Sequence, residues 1–544
     1  MTMTRAKITS ARELPAGSSL ALATLAGCLW FLSAPPFRFA GGAWIAMLPL
    51  MFVLDQTLSF QRAVWFSSWT GLVGNMGGFY WLFQTIRRFA HLPWPIALLL
   101  FLAICLYQGL TFTLFGAAVH FARHRRTIPM ALLAPLAMVT AEWIEPMVFP
   151  DSLAITQAWH PLVIQIADIT GPLGVCALLL LINGALYDLI VSTRRAVVPA
   201  VISAMILIAS LLYGAIRIRQ VDAISNAAAK LRVGIVQPNF AHTEKGSQNP
   251  QPASERLAIL QEQSRELEAA GAQLIVWSET SYPFALQRRK GVVAVDPSPA
   301  IMRGFHTPVI IGANISDTAA QKHFNSALLV DRGGNIAGVY DKVRLMNFGE
   351  RIPAGEILPW LTDLLPRDYA RFTPGSTATP LPFRNDDGTV LRLGTFICFE
   401  DILPDFLRLV GANHPQLLVN LTNDSWFGDT SEPWEHLALS VFAAVEQRTA
   451  MARSVNSGVS AFIDANGRVL QKTYAVDPSL HSQPASHMLA TLPLIEGGHT
   501  FYERGGHLFG GLCSLCLLLL LAIPPCVKHL RHIATLRGLD VECS

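Results

Sequence analysis

The stretch LRLGTFICFED (Leu391–Asp401) is a short apolar run that closes on a cysteine and two acids. It reads as a buried strand running into a helix start, with Cys398 at the junction. QLLVNLTND (Gln416–Asp424) repeats the pattern and ends on Asn423 and Asp424. Upstream, RVGIVQPN (Arg232–Asn239), AQLIVWSE (Ala272–Glu279) and PVIIGAN (Pro308–Asn314) are further strands, and 251–270 has helical periodicity. FNSALLVDRGGNIAGVYDK (Phe324–Lys342) reads as a hairpin turning at Asp331–Asn335, with a lysine at its far end. Downstream, a long helix is predicted over about 432–455, then a hairpin, Gly458–Leu470, with Asn466-Gly467 in its turn. Strands that alternate with helices and also pair in hairpins predict a layered α/β domain with a mixed sheet over 230–496. Glu279, Lys342, Cys398 and Asn423 each fall just after a strand end, where such folds present catalytic groups. There is no internal repeat, low-complexity tract or Walker-type loop.

Outside that domain the composition changes. Of the 544 residues 51% are hydrophobic and 15% charged, against about a quarter charged in a globular domain. The apolar excess lies in 19–218 and 506–527. A hydrocarbon core of about 30 Å takes roughly 20 helical residues. Spans are therefore expected near 19–36, 39–55, 63–86, 94–122, 128–149, 162–191, 196–217 and 506–527. The prediction is a polytopic α-helical membrane protein with about eight transmembrane helices, or seven if the short second one does not cross. No small-residue cleavage site follows the first span, so it reads as a retained helix rather than a signal peptide.

Basic residues orient the spans. Arg5, Lys7 and Arg12 precede the first; Arg62, Arg123, Arg125, Arg126, Arg194 and Arg195 fall in alternate loops; Lys528, Arg531 and Arg537 follow the last. With eight crossings these share one side, the cytoplasm, so 1–18 and 528–544 are cytoplasmic and 230–496 is extracytoplasmic, periplasmic in a double-membrane bacterium. Arg87 and Arg88 break the pattern. Glu142, Glu145, Asp168 and Asp188 lie near predicted span ends, where facing water or headgroups is the simple expectation and lining a pathway the alternative. A net charge of +3 without a basic, aromatic-interleaved run excludes a nucleic-acid partner.

Of eight cysteines, Cys28, Cys105, Cys176, Cys513, Cys516, Cys526 and Cys543 fall in spans or the tail. Cys398 stands alone in the α/β domain, which therefore has no internal disulfide. The Cys513/Cys516 pair lacks further ligands, and no metal is implied. A cysteine thiol is mostly protonated at neutral pH, so a nucleophilic role calls for a nearby base and a cation. Glu279 and Lys342 are the residues for that, while a buried structural thiol, a helix-capping Glu279 and a solvated Lys342 remain alternatives. Trp426 reads equally as core or interfacial aromatic, and Asn423 with Asp424 as a turn.

Three stretches, LIVWSETSYPF (Leu274–Phe284), YDKVRLMNFGERIP (Tyr340–Pro353) and FICFED (Phe396–Asp401), resemble the Glu-Lys-Cys signature of the nitrilase superfamily. With apolar spans on both sides they resemble its membrane-embedded branch, the apolipoprotein N-acyltransferases, over nearly the whole chain. LTNDSWFG (Leu421–Gly428), Arg453–Gly458 and Thr500–Gly505 fit as well. The resemblance implies an α-β-β-α sandwich, with Cys398 as nucleophile, Glu279 as general base, Lys342 stabilising the oxyanion and Glu350 as a second acid. It implies that Glu400 and Trp426 shape the substrate cleft. It further implies a phospholipid acyl donor, a diacylglyceryl lipoprotein acceptor, a monomer and no cofactor. Phe399 stands where the family more usually has tyrosine, Gly246 where a tryptophan is often found, and Phe149-Pro150-Asp151 where Phe-Pro-Trp is common. The rivals are a tethered amidase using water as acceptor, and a catalytically dead scaffold or transporter.

Overall fold

The computed structural model describes residues 14–522, save 38, 91, 126–127, 151, 192, 242–250, 290–291, 295–299, 348, 352–371, 477–482 and 507. Residues 1–13 and 523–544, Asp151, Gly246, Cys526 and Cys543 lie outside the described residues.

The α/β domain is two stacked sheets. The first holds β1 (Lys230–Gln237), β2 (Leu274–Val276), β3 (Leu286–Arg289), β4 (Val292–Ala294), β5 (Val309–Asp317), β6 (Lys322–Val330), β7 (Ile336–Asp341) and β14 (Ser486–Pro493). The second runs β13-β12-β11-β10-β9-β8, from β8 (Leu381–Arg384), β9 (Val390–Ile397), β10 (Leu417–Thr422), β11 (Met451–Val455), β12 (Gly458–Ile463) and β13 (Val469–Ala475). Central strands are parallel (β1/β2/β5 and β9/β10/β11), and hairpins complete the edges except where β14 pairs antiparallel with β1. Strands buried on both faces do not alternate between apolar and polar residues, as in LLVNLT of β10, where every residue is buried. Val233, Ile235, Val276 and Ile310 of one sheet pack with Leu393, Val419 and Ala452 of the other. Ser454 of β11 hydrogen-bonds across the gap to the carbonyls of Val236 (3.0 Å) and Val276 (3.2 Å). The Ala253–Ala269 helix covers the first sheet through Leu257, Leu260 and Leu267, and the Pro404–Gly411 and Glu432–Gln447 helices cover the second.

The helix expected over 432–455 stops early. Arg448 adopts a left-handed backbone (φ +52°), and Met451–Val455 becomes the central strand β11. A helix-like pattern hid a fully buried parallel strand.

Among the described residues four helices are long and apolar enough to cross a membrane: Ala16–Ser33, Trp94–Arg123, Pro172–Val191 and Ala196–Ala227. Shorter apolar helices lie at Ala40–Gln56, Met130–Ile144, Pro161–Thr170 and Leu508–Ala522. The expected eight long spans are thus not all present as such. At 1.5 Å per residue, the 15-residue Met130–Ile144 helix reaches only about 22 Å. The stretch 63–86 divides into Phe60–Gly78 and a separate Tyr80–Ala90 helix, and 162–191 breaks at Gly171, whose φ of +65° ends one helix before the next.

The four acids flagged at span ends do not face water; each is buried against protein donors. Glu142 accepts from Ser152 (2.8 Å) and from the Cys176 thiol (3.2 Å), and Glu145 from Thr111. Asp188 caps the Met130–Ile144 helix by accepting from the Met130 and Ala131 amides, both at 3.0 Å. Asp168 joins the two halves of the molecule. Its carboxylate accepts from Arg448 of the α/β domain (2.7 and 2.9 Å) and from Arg217 (2.9 Å) and Tyr213 (2.7 Å) of the Thr193–Ala227 helix. Arg448 also donates to Gln165 (2.6 Å), and Asp222 pairs with Arg468 (2.8 Å) alongside.

Removing one partner of a buried pair strands the other's charge, at about 3–5 kcal/mol. Asp168→Ala is therefore expected to lower the thermal midpoint of the purified full chain more than the double replacement Asp168→Leu/Arg448→Met does.

Candidate active site

Cys398 follows β9 directly and opens the short 3-10 turn Cys398–Ile402. Its φ of +57° is left-handed, a conformation that costs a non-glycine residue on the order of 1 kcal/mol and persists only where neighbours impose it. Asn420, on the adjacent parallel strand β10, donates to the Cys398 carbonyl at 2.9 Å. Glu400 accepts from the Ile397 amide at 2.8 Å.

Glu279 leaves β2 in a tight turn against β5. The turn fits because position 312 is glycine: a Cβ there would collide with the Ser278 carbonyl, the Thr280 nitrogen and Glu279 Cα. Lys342 follows β7, and its backbone is held on both sides, the amide donating to the Asn325 carbonyl and the carbonyl accepting from Gly375, both at 2.8 Å. Its ammonium, 1% exposed, lies 2.9 Å from Glu350 and 3.3 Å from Glu279. Asn325 of β6 donates to both carboxylates, at 2.7 Å to Glu279 and 3.0 Å to Glu350. The Met346 amide holds the other Glu350 oxygen at 2.9 Å. Phe399 lies with its ring centroid 5.5 Å from the Lys342 nitrogen, a cation–π contact.

Electrostatics follow from this crowding. Burial pushes the Cys398 thiol well above its ordinary value; the Glu279 charge pushes the same way and Lys342 opposes. The lysine favours the thiolate, as its charge requires, but is outweighed, so the resting sulfur carries its proton and needs a base. Burial also raises Glu279; Lys342 pulls it down and Glu350 pushes it up. Burial works against the Lys342 charge, yet Glu350 and Glu279 together hold the ammonium well above the usual lysine range.

Glu400 has a different setting from the cleft position suggested for it. It is fully buried and accepts from the Tyr340 hydroxyl (2.6 Å) and the amides of Val343, Arg344 and Ile397 (each 2.8 Å). It thereby ties the Lys342 loop to the Cys398 turn. Burial pushes its carboxyl up to about 7, against the pull of these donors. Asn423 accepts from Ser425 (3.3 Å) and Asn456 (3.1 Å), fixing the turn that carries Trp426. Trp426, partly buried, packs against the cluster that holds Phe79, Trp81 and Phe427, as Met346 does, so this edge of the site rests on the membrane half.

The sequence reading passed over two features. Asn325 is a polar residue in the apolar strand FNSALLV; its place inside a buried β-run was the available signal. Asp401, Asp424, His436 and Arg453 form a buried network behind the Cys398 turn. His436 bridges Asp401 (3.0 Å) and Asp424 (3.3 Å), and Arg453 pairs with the same two acids at 3.1 and 3.3 Å. Burial and Arg453 disfavour the His436 charge, but the two aspartates outweigh them and raise its pKa. Asp424, Glu432 and His436 have the spacing of a metal site, but the Arg453 guanidinium already supplies the cation between the aspartates. Residues so far apart in the chain leave no local pattern.

Residues 26–185 match the apolipoprotein N-acyltransferase N-terminal domain, and residues 232–476 match the carbon-nitrogen hydrolases. The chain is 29% identical over 527 residues to the apolipoprotein N-acyltransferase of Geobacter metallireducens, covering 94% of this chain and 96% of that one. It is 30% identical over 370 residues to that of Chlorobaculum tepidum, covering 64% of this chain and 68% of that one. Among solved structures, a Nesterenkonia amidase of the nitrilase superfamily aligns over 51% of this chain and 93% of its own at 18% identity, with a TM-score of 0.35. The matched segments divide the chain where its hydropathy does, which makes it a membrane-borne relative of the carbon-nitrogen hydrolases. More narrowly, the chain belongs to the apolipoprotein N-acyltransferase family. It is a multi-pass protein of the bacterial inner membrane with an extracytoplasmic α/β domain.

If Glu279 acts as a base, only its carboxylate form works, so acylation should rise with pH through an apparent pKa above the ordinary carboxylate range. Glu350→Gln removes a like charge and leaves Lys342 to Glu279, both of which lower that pKa. The acid limb of the single-turnover pH profile is expected to move to lower pH; an unmoved or raised limb contradicts the assignment.

Proposed function

We propose that Cys398, Glu279 and Lys342 are the catalytic groups of lipoprotein N-acyl transfer by a ping-pong route. The observation that carries this is the single buried cluster of Glu279, Lys342, Glu350 and Asn325, within electrostatic reach of the Cys398 sulfur, in a chain of this family. A membrane phospholipid is the donor. Glu279 takes the thiol proton as the sulfur attacks the ester carbonyl carbon, and the carbonyl electrons move to oxygen, where Lys342 stabilises them. Collapse breaks the bond from carbon to the glycerol oxygen, which leaves with the proton from Glu279 as a lysophospholipid. The N-terminal amine of a diacylglyceryl-cysteine lipoprotein then attacks the thioester carbon and gives a proton to Glu279. The C–S bond breaks, the sulfur recovers that proton, and the chain is delivered as an amide.

The proton shuttles between sulfur and carboxylate, so the cluster's net charge is unchanged before attack. That avoids creating a new buried charge, which would be costly at low dielectric. An ammonium aimed at the oxyanion contributes about 3 kcal/mol by analogy with one oxyanion-hole donor. Glu350 and Asn325 keep Lys342 and Glu279 in register. Phe399, Trp426 and Asn423 form the rim where the acyl chain enters, and Glu400 positions the two loops from behind. We read the long and short apolar helices together as an eight-span arrangement, in segments 19–218 and 506–527, which puts 230–496 outside. One chain supplies every group, so a monomer suffices.

Purified full-length protein mixed with phospholipid should gain one acyl mass on the Cys398 peptide, lost in Cys398→Ala. Glu279→Gln is expected to slow its appearance by about 10²–10⁴-fold. An S-diacylglyceryl peptide should discharge it as an N-acyl product. Free fatty acid without that product would make the protein a hydrolase, and no adduct at all would make the domain inert.

A further inference from the structure

The Tyr80–Ala90 helix explains the exception in the arrangement of basic residues. It stands between the apolar helices Phe60–Gly78 and Trp94–Gln108, on the side of the α/β domain. The Tyr80 hydroxyl accepts from the Ser431 amide (3.1 Å), the Trp81 indole donates to Glu435 (3.1 Å), and Trp81 meets Phe427 edge-on with centroids 5.0 Å apart. The helix is amphipathic: Trp81 and Leu82 are buried, Gln84 and Arg87 exposed. Its apolar side packs on protein, with Phe101 and Phe427 in the same cluster, which leaves the exposed Arg87 at the junction of the membrane half and the α/β domain. The Arg87 guanidinium lies 6.0 Å from the Phe83 ring, two turns or about 10 Å along the axis from the contact with the α/β domain. The same apolar cluster that holds Trp81 includes Trp426 and Met346, and the Met346 amide binds Glu350. The basic end of this helix is therefore linked, through one packed cluster, to the loop that carries the Lys342 partner.

We infer that Arg87 is a specificity-determining residue that binds the phosphate of the acyl-donor phospholipid and so seats its ester for attack by Cys398. This rests on the acyl-transfer reading above. A guanidinium matches a phosphate with two parallel hydrogen bonds, and Arg87 is exposed on a helix that links two apolar helices beside the α/β domain. The phosphate is shared by every glycerophospholipid, so the recognised chemistry is the phosphodiester and not a particular headgroup. A diacylglyceryl peptide carries no phosphate there, so the contact serves the first half-reaction only. That provides a way for one cleft to take two lipids in order.

The test follows single-turnover acylation of Cys398 in the full-length chain in micelles. The donors are dioleoylphosphatidylethanolamine and dioleoylglycerol, which has the same esters and no phosphate. The unmodified chain should prefer the phospholipid by about tenfold, the value of one charge-assisted contact. Arg87→Gln should bring the phospholipid rate down to the dioleoylglycerol rate, Arg87→Lys should restore part of the preference, and discharge of preformed thioester by an S-diacylglyceryl peptide should not change. Added inorganic phosphate should leave the preference intact.

An undiminished phospholipid rate in Arg87→Gln overturns the inference. So does an equal fall with both donors, which marks a merely structural arginine. Inorganic phosphate that erases the preference would assign the site to a free anion instead. If the unmodified chain forms no adduct with either donor, the underlying acyl-transfer reading fails as well. An adduct in that chain with Arg87→Gln unchanged rejects the phosphate contact alone.

Discussion

A carboxylate with two guanidiniums on it, Asp168 with Arg448 and Arg217, holds the two halves of this molecule in one orientation. An α/β domain that meets lipid must present its cleft at a fixed height and tilt. Loose apolar contact does not define either, since hydrophobic burial has no direction. Buried ion pairs do, because they tolerate only a narrow geometry and are costly to break. The left-handed backbone at Arg448 ends the Glu432–Gln447 helix and also aims the guanidinium at the membrane half. One local conformation thus terminates a helix, starts β11 and bolts the domain down. The Tyr80–Ala90 helix makes a second attachment, at the edge where Trp426 sits.

At the site, similar economy applies to charge. Lys342 lies between Glu279 and Glu350, and its ammonium survives deep burial only because both carboxylates face it. Neither acid is independent of the lysine, and Asn325 ties the two acids together. Glu400 binds the lysine loop to the cysteine turn through four donors, so the proposed nucleophile and its cation are parts of one rigid piece. The thiol needs a base because burial and the negative neighbours raise it, and the reading of Glu279 follows from that need.

Much of this was legible in the residues, for physical reasons. Strand ends showed up as apolar runs closing on a polar residue, which located Glu279, Lys342 and Cys398. The hairpins were marked by Asp331–Asn335 and by Asn466-Gly467, whose turn chemistry is local. What depended on distant partners did not show. Met451–Val455 passed for helix because a strand buried on both faces has no alternation to display. The break after Gly78 was hidden inside a run apolar enough to seem one span, and the Arg87 anomaly was its only trace. Asp168 looked like a span-end acid facing headgroups, because the arginine that claims it lies 280 positions away. Asn325, Glu400 and the His436 network belong to the same class: each is made by tertiary approach.

The Thr193–Ala227 helix is a single rod of 35 residues, about 52 Å long, against a hydrocarbon layer of about 30 Å. Roughly two-fifths of it must stand clear of the oily layer, and β1 begins three residues after it ends. The register between this helix and the α/β domain that follows it therefore depends on a count of residues. Adding or deleting one shifts the whole domain by 1.5 Å and swings it through about 100° relative to Asp168, so length and facing are locked together in the same stalk.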